Sequence, residues 1–249
     1  MVELTKIITP KTKAGEFIHS SLVKIIVGPD DEDQRTFWVH EGLITARSAF
    51  FKKALNGDWA EADTKTVNLP EEDPYGVALY LQLLYTGTLA VLDEEADIDK
   101  CHYLEMAKTY IVAEMLLDPT SKNLIMHGFL SGVRRKNKDG DNDYPVDPII
   151  TIIYEGTASA ADPARRLLVN WHARFAQSDW ITDFQDSLPK DFLYELSVAL
   201  LTAKKAENGP PDVSDIDMYL AKDVQDDKDT KQEHMDTKAD TSTETTAGG

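Results

Sequence analysis

Three short stretches in the first half of the chain carry apolar residues at alternate positions, which is the pattern of half-buried β-strands. The alternating residues are Val23, Ile25 and Val27 in the first stretch, Phe37 and Val39 in the second, and Val67 and Leu69 in the third. An acidic loop at residues 28–34 separates the first two stretches. The pattern therefore predicts a β-hairpin followed by a third strand.

Apolar residues at helical spacing dominate the rest of the chain up to about residue 205. Serine and aspartate accept amide hydrogens of a first helical turn, and proline suits its first position. The helix starts predicted in this way are Ser48, Asp73-Pro74, Asp118-Pro119, Asp162-Pro163 and Pro189. Strands followed by helices predict an α+β fold, with a small sheet flanked by a helix cluster and then an all-helical extension.

The most specific motifs begin in residues 37–59. Val39-His40 ends a strand, an apolar turn follows, and Arg47-Ser48-x-Phe50-Phe51 comes next. The pattern continues in register with W-A-E at 59–61, V-N-L-P at 67–70 and L-L-Y-T-G-T-L at 83–89. This combination is similar to the BTB/POZ domain over residues 22–117, and A-K-T-Y-I-V-A-E-M-L-L-D-P-T-S-K-N-L-I at 107–125 resembles the branch of that family common in fungi.

The resemblance implies a domain that binds other proteins and has no catalytic site. It also implies a structural signature that consists of Val39, His40, Arg47, Ser48, Phe50, Phe51, Tyr85 and Gly87. In the family the histidine helps to fix the turn from strand to helix, and a neutral imidazole can both donate and accept hydrogen bonds there.

The resemblance further implies a dimer interface around the first helix, at residues 41–46, for which Leu22, Leu43 and Ile44 are candidates. Many animal members carry Ser-Asp-Val where this chain has Ser21-Leu22-Val23. Leu22 cannot form the ion pair of that aspartate. A homodimer is expected, and a monomer or a differently built dimer stays open.

A second partner surface is implied by Trp59-Ala60-Glu61, because cullin adaptors in this family present an apolar residue, any residue and then glutamate. Trp59 would supply contact area and Glu61 a charge-assisted hydrogen bond. The functions implied are a scaffold or adaptor that self-associates and docks partners, a substrate adaptor of a cullin-type ubiquitin ligase, or an acidic transcriptional co-regulator.

The chain divides into four parts. We predict a flexible arm at 1–20, a BTB/POZ domain at 21–117, a helical extension at 118–205 and a disordered acidic tail at 206–249. The tail is rich in Gly, Pro, Asp, Lys and Thr, and it carries too few bulky residues to fold alone. Within it, residues 215–220 alternate acidic and apolar character, as short docking peptides do, although a chance cluster explains them equally well.

Composition narrows the class of partner. The formal charge of −18 over 249 residues leaves no overall basic face for phosphate, so direct nucleic-acid binding is not expected. The chain has no apolar run of membrane-span length, no signal-peptide block and, with Cys101 alone, no internal disulfide. We expect a cytoplasmic and/or nuclear protein whose partners are other proteins.

Candidate chemistry is sparse, and we predict no catalytic, cofactor-binding or metal site. His40 has no nucleophile or metal ligand at useful spacing. Aspartates alternate from Asp139 to Asp143 as in a calcium loop, but Tyr144 and Ile150 stand where such a loop needs glycine and glutamate. Without a nucleophile, base and oxyanion donor, an enzyme is not predicted.

Two groups of basic residues allow more than one interpretation. The run at 134–138 suits a nuclear-import signal, a phosphate contact or the capping of exposed helix carbonyls. Arg165 and Arg166, the second group, are predicted to lie on an exposed helix turn.

Overall fold

The first half of the chain contains a small sheet, and helices make up most of the rest of the described residues. The computed structural model describes residues 17–30, 33–56, 60–91, 102–133, 144–184, 186–206, 209–210 and 213–221. Its strands are β1 (Leu22–Val27), β2 (Arg35–His40) and β3 (Thr66–Leu69). Its α-helices are α1 (Glu41–Arg47), α2 (Ala49–Asn56), α3 (Ala60–Thr64), α4 (Pro74–Thr86), α5 (Tyr103–Met115), α6 (Pro119–Val133), α7 (Ile149–Gly156), α8 (Pro163–Phe175), α9 (Ser178–Thr182) and α10 (Lys190–Lys205).

The sheet has the order β2-β1-β3, with β1 antiparallel to β2 and parallel to β3. Val23 lies opposite Val39, and Ile25 lies between Phe37 and Val67. Alternate side chains of β1 are fully buried on one face, as the period of two requires. The predicted hairpin and third strand are confirmed.

Helix α2 begins where the serine pattern placed it. The Phe51 amide donates to Ser48 Oγ at 3.1 Å, and Ser48 Oγ donates to the Leu116 carbonyl at 2.6 Å. A residue that caps one helix therefore also holds the end of α5 in place.

Helix α4 begins at the predicted Asp73-Pro74 start and ends before Gly87, one of the signature residues. The Tyr75 amide donates to the Asp73 carboxylate at 3.2 Å. At the other end Gly87 takes the left-handed conformation, with φ 70°, and its amide donates to the Leu83 carbonyl at 2.8 Å. Glycine suits this position because it has no Cβ to clash.

A buried carboxylate at the start of α8 joins that helix to α5 and α6. Asp162, at the start of α8, accepts hydrogen bonds from the Tyr110 hydroxyl at 3.0 Å and from Lys122 Nζ at 3.0 Å. Burial, together with the Asp162 charge, raises the pKa of the Tyr110 hydroxyl, which therefore stays protonated and acts as the donor. Removing one member of such a buried ion pair leaves the other charge without a partner.

The extension also packs closely on α5 through Gly156, the last residue of α7. A Cβ atom built on Gly156 would lie 2.6 Å from the side chain of Ile111, closer than van der Waals contact permits. The glycine therefore lets α7 approach α5.

The side chain of Arg165 is buried, so the prediction that it lies on an exposed helix turn was wrong. Its guanidinium donates to Thr157 Oγ1 at 2.7 Å and to the Tyr154 carbonyl at 2.7 Å, and it lies 3.8 Å from the Glu195 carboxylate. A buried guanidinium is tolerated when its donors find acceptors. Arg165 thus ties α8 to α7 and α10, whereas Arg166 is exposed as predicted.

The prediction of disorder from residue 206 onward does not hold for residues 213–221. They include a short 3-10 helix, Ile216–Tyr219, that contacts α6 and α8, and they bury Val213 and Tyr219. Composition predicts whether a segment folds alone, and this one packs against a surface that the body provides. Residues 222–249 lie outside the described part of the chain.

One buried histidine makes the stability of the extension depend on pH. His172 Nδ1 lies 2.9 Å from the Leu168 carbonyl, and its ring contacts those of Trp180 and Phe192. Its Nε2 is buried without a hydrogen-bond partner. Burial lowers the pKa of His172, and the hydrogen bond to Leu168 opposes that effect.

We expect the protein to lose stability as the pH falls through about 6.5, because His172 then binds a proton in the unfolded chain but not in the folded protein. Because a histidine in an unfolded chain has a pKa of about 6.5, His172 alone can lower the unfolding free energy by at most about 1.4 kcal/mol between about pH 7.5 and 5.5. Melting temperatures at the two pH values measure it. His172→Asn should show a smaller loss than the wild type, and His127→Asn, at an exposed histidine, should show the same loss. Equal losses in all three proteins would contradict this role.

Candidate protein-interaction surface

Two residues of the implied signature meet at the turn from β2 to α1. The Tyr85 hydroxyl accepts a hydrogen bond from the His40 amide at 3.0 Å and lies 2.8 Å from His40 Nδ1. The ring of Phe17 contacts both rings edge-on. This aromatic group fixes the turn from β2 to α1.

Arg47, another signature residue, belongs to a buried network that the sequence did not reveal. Its guanidinium lies 2.9 Å from Ser121 Oγ and 3.3 Å from the Asp118 carboxylate. Asp118 also accepts hydrogen bonds from Tyr80 Oη at 3.2 Å and from Ser121 Oγ at 2.7 Å. Burial, together with the Asp118 charge, raises the pKa of the Tyr80 hydroxyl, so it stays a donor. The Asp118-Pro119 motif signalled only a helix start.

The apolar part of the signature lies in the core. Val39 and Phe51 are fully buried, and Phe50 is half buried with its ring edge-on to that of Phe51 at 5.3 Å. With Gly87 at its helix end, these residues support the fold and offer little surface to a partner.

The dimer candidates have different positions in the structure. Leu22 is 47% exposed and Leu43 is half buried, but Ile44 is fully buried and cannot contact another protein. Placing Ile44 at a dimer interface was therefore wrong. Helix α1 has seven residues, and its inward face carries Ile44 into the core.

The face of the sheet opposite the core carries exposed apolar side chains. We call Leu22, Lys24, Ile26, Thr36 and Trp38 the outer sheet patch, since residues at alternate positions share a face. Trp38 is 61% exposed and lies opposite Lys24, which makes it a diagonal neighbour of Leu22. A large exposed aromatic residue beside an aliphatic one is typical of a protein-binding surface.

A groove of about 760 Å³ lies between the start of β2 and the start of α4. Arg35 lies among its lining residues, and Glu71, Glu72 and Asp73 make much of its wall acidic. Burial raises the pKa of the Glu72 carboxyl, and the charges of Glu71 and Asp73 raise it further. This acidic wall is suited to a basic side chain of a partner.

Of the two residues implied for cullin binding, the structure describes Glu61. Glu61 lies in the first turn of α3 and is half buried, while Trp59 lies outside the described residues. Cys101, the basic run at 134–138 and the aspartates from Asp139 to Asp143 also lie outside them.

Among the described residues, no group of three or more His, Cys, Asp or Glu side chains is placed to hold a metal ion. The described helices are also too short or too polar for any of them to cross a membrane.

Comparison with models of protein families gives a match in the first half of the chain. The family model of the BTB/POZ domain matches residues 23–121, which run from β1 into the first turn of α6. No curated protein matches the chain. BTB/POZ domains belong to a family of interaction domains, not of enzymes. The sheet, the two short helices after it and this match together identify residues 23–121 as a BTB/POZ domain, a protein-protein interaction module.

Proposed function

We propose that this protein is a scaffold or adaptor that self-associates and docks partners through its BTB/POZ domain, with the outer sheet patch as the contact surface. The observation that carries the proposal is the exposure of Trp38, a residue type that often dominates interface energies. A scaffold needs no chemistry, because holding two proteins together raises their effective concentration.

The position of the patch supports self-association. Among the described strands β2 lies at one edge of the sheet, so its outer side presents backbone groups that a second chain can pair with. A two-fold arrangement lets the same patch serve both subunits, which is the commonest symmetry of oligomers.

A polar rim lies beside the patch, as in stable interfaces. At the start of α1, Lys65 Nζ lies 2.8 Å from a Glu41 carboxylate oxygen, and the Ser21 hydroxyl donates to the other oxygen. The hydrogen bond from Lys65, and then that from Ser21, lower the pKa of Glu41, so the carboxylate stays ionised near neutral pH. Polar groups that are already paired can border an interface without an added desolvation cost.

We expect the wild-type protein to be a dimer by light scattering at micromolar concentration. Trp38→Lys should weaken it by at least about 30-fold in Kd, because losing a central interface tryptophan costs at least about 2 kcal/mol. Tyr194→Lys, at a residue of α10 that is 71% exposed, is the matched control and should leave the mass unchanged. A monomeric wild type, or a Trp38→Lys protein that stays dimeric, would contradict self-association through this patch.

Two narrower functions stay predictions from the sequence. The role of a cullin-type ligase adaptor depends on Trp59 and Glu61, and that of an acidic co-regulator depends on the acidic tail at 206–249. A cytoplasmic and/or nuclear location also stays a prediction.

A further inference from the structure

Residues 213–221, here called the docked segment, lie in a groove between α6 and α8. The 3-10 helix in the segment contacts both helices. Tyr219 and Val213 are buried, and Ile216 and Met218 pack against the core. Apolar side chains enter the body at several points, so the segment occupies the groove as a bound peptide would.

Tyr219 is the anchor of the docked segment, since its side chain is fully buried. Its hydroxyl accepts a hydrogen bond from Asn170 Nδ2 at 3.0 Å, and the Arg166 guanidinium lies 5.7 Å from the ring centroid. Arg166 Nη2 also donates to the Met218 carbonyl at 2.6 Å. Because the groove buries the aromatic ring and also donates a hydrogen bond to the hydroxyl, it is specific for tyrosine.

Asn123 of α6 binds the backbone of the docked segment in both directions. Its Nδ2 donates to the Ala221 carbonyl at 3.1 Å, and its Oδ1 accepts from the Ala221 amide at 2.7 Å. A side-chain amide that pairs with both groups of one residue acts as a neighbouring strand would. Backbone pairing combined with a side-chain pocket is the usual way in which proteins recognise extended peptides.

The charges of the groove and the segment are complementary. Arg166 and Arg174 of α8 contact the chain near and within the segment, with Arg174 Nη1 donating to the Pro210 carbonyl at 3.1 Å. The segment itself carries Asp215 and Asp217. Opposite charges favour an acidic peptide over a basic one at this site.

We propose that the groove between α6 and α8 is a peptide-binding site for short acidic-apolar segments anchored by tyrosine. It is filled here by the protein's own docked segment, and a partner protein with a segment of the same chemistry competes for it. The docked segment follows α10 by only a few residues, so its effective concentration at the groove is of the order of millimolar. Only a partner that overcomes this competition opens the site.

The test uses the full chain and a labelled synthetic peptide of residues 213–221. In the variant Tyr219→Ala the chain's own segment lacks its anchor, so the groove is free to take the peptide. By fluorescence anisotropy we expect this variant to bind the peptide at least about tenfold more tightly than the wild type does. The same peptide carrying Y219A is the control and should bind neither protein. Circular dichroism establishes that the variant is folded.

A folded Tyr219→Ala protein that binds the peptide no better than the wild type, or that binds the Y219A peptide equally well, would overturn the proposal. If the variant does not fold, hydrogen exchange on the wild type decides instead. Excess peptide should then speed amide exchange in the protein's own residues 213–221, and the Y219A peptide should not. Unchanged exchange with both peptides would overturn the proposal.

Discussion

Replacing Asp118 with alanine is expected to destabilise the protein by about 3–5 kcal/mol, the usual cost of removing one partner from a buried ion pair. The Asp118 side chain is fully buried. It accepts hydrogen bonds from Tyr80, from the Ser121 amide at 3.0 Å and from the Ser121 hydroxyl, and it pairs with Arg47. The substitution leaves a positive charge without its partner and removes the cap at the start of α6.

Urea unfolding of the full chain measures this loss. The matched control is Glu155→Ala, since Glu155 is exposed on α7 and its replacement should change the unfolding free energy by less than about 0.5 kcal/mol. Asp118→Asn should fall between the two because it keeps an acceptor and loses the charge. A loss of less than about 1 kcal/mol in Asp118→Ala would mean that the network contributes little.

The second large effect is expected from Phe51→Ala. Truncating a fully buried phenylalanine costs about 3–5 kcal/mol, from lost burial and from the cavity that remains. That is a large part of the about 5–15 kcal/mol by which domains are stable. Phe51 lies in the first turn of α2, which Ser48 joins to the end of α5.

Phe50→Ala is a matched control for Phe51→Ala, because the two rings are neighbours and only Phe51 is fully buried. We expect Phe50→Ala to lower the melting temperature clearly less than Phe51→Ala does. Equal losses would contradict the assignment of Phe51 to the core.

Local pattern was enough to predict the sheet and most helix starts. The alternation in β1 and the helix starts at Asp73, Asp118 and Asp162 depend on neighbours within a few residues, and the structure agrees with them. The same pattern did not show that Asp118 and Asp162 are buried, because their partners Arg47 and Tyr110 are far away in sequence.

The predictions that were wrong also concern contacts between residues far apart in sequence. Arg165 is buried because acceptors from α7 and α10 surround it, and Ile44 is buried because α1 lies over the core. Residues 213–221 are ordered because α6 and α8 provide a groove. In the candidate surface the alternation of Phe37 and Val39 places Trp38 on the other face of the sheet, but it does not show that no described helix covers that face.

The hydrogen bonds of Asp162 to Tyr110 and Lys122 have a thermodynamic consequence for the two halves of the molecule. Tyr110 lies within the match to the BTB/POZ family and Lys122 lies one residue beyond it, so the Asp162 carboxylate links the domain to α8. Separating the halves would break these hydrogen bonds and expose the side chains that α7 and α8 bury against α5 and α6, so the two halves should melt in a single cooperative transition. A ligand of the extension therefore protects the BTB/POZ domain against unfolding as well, and a shift in melting temperature reports that something has bound without showing which half holds it.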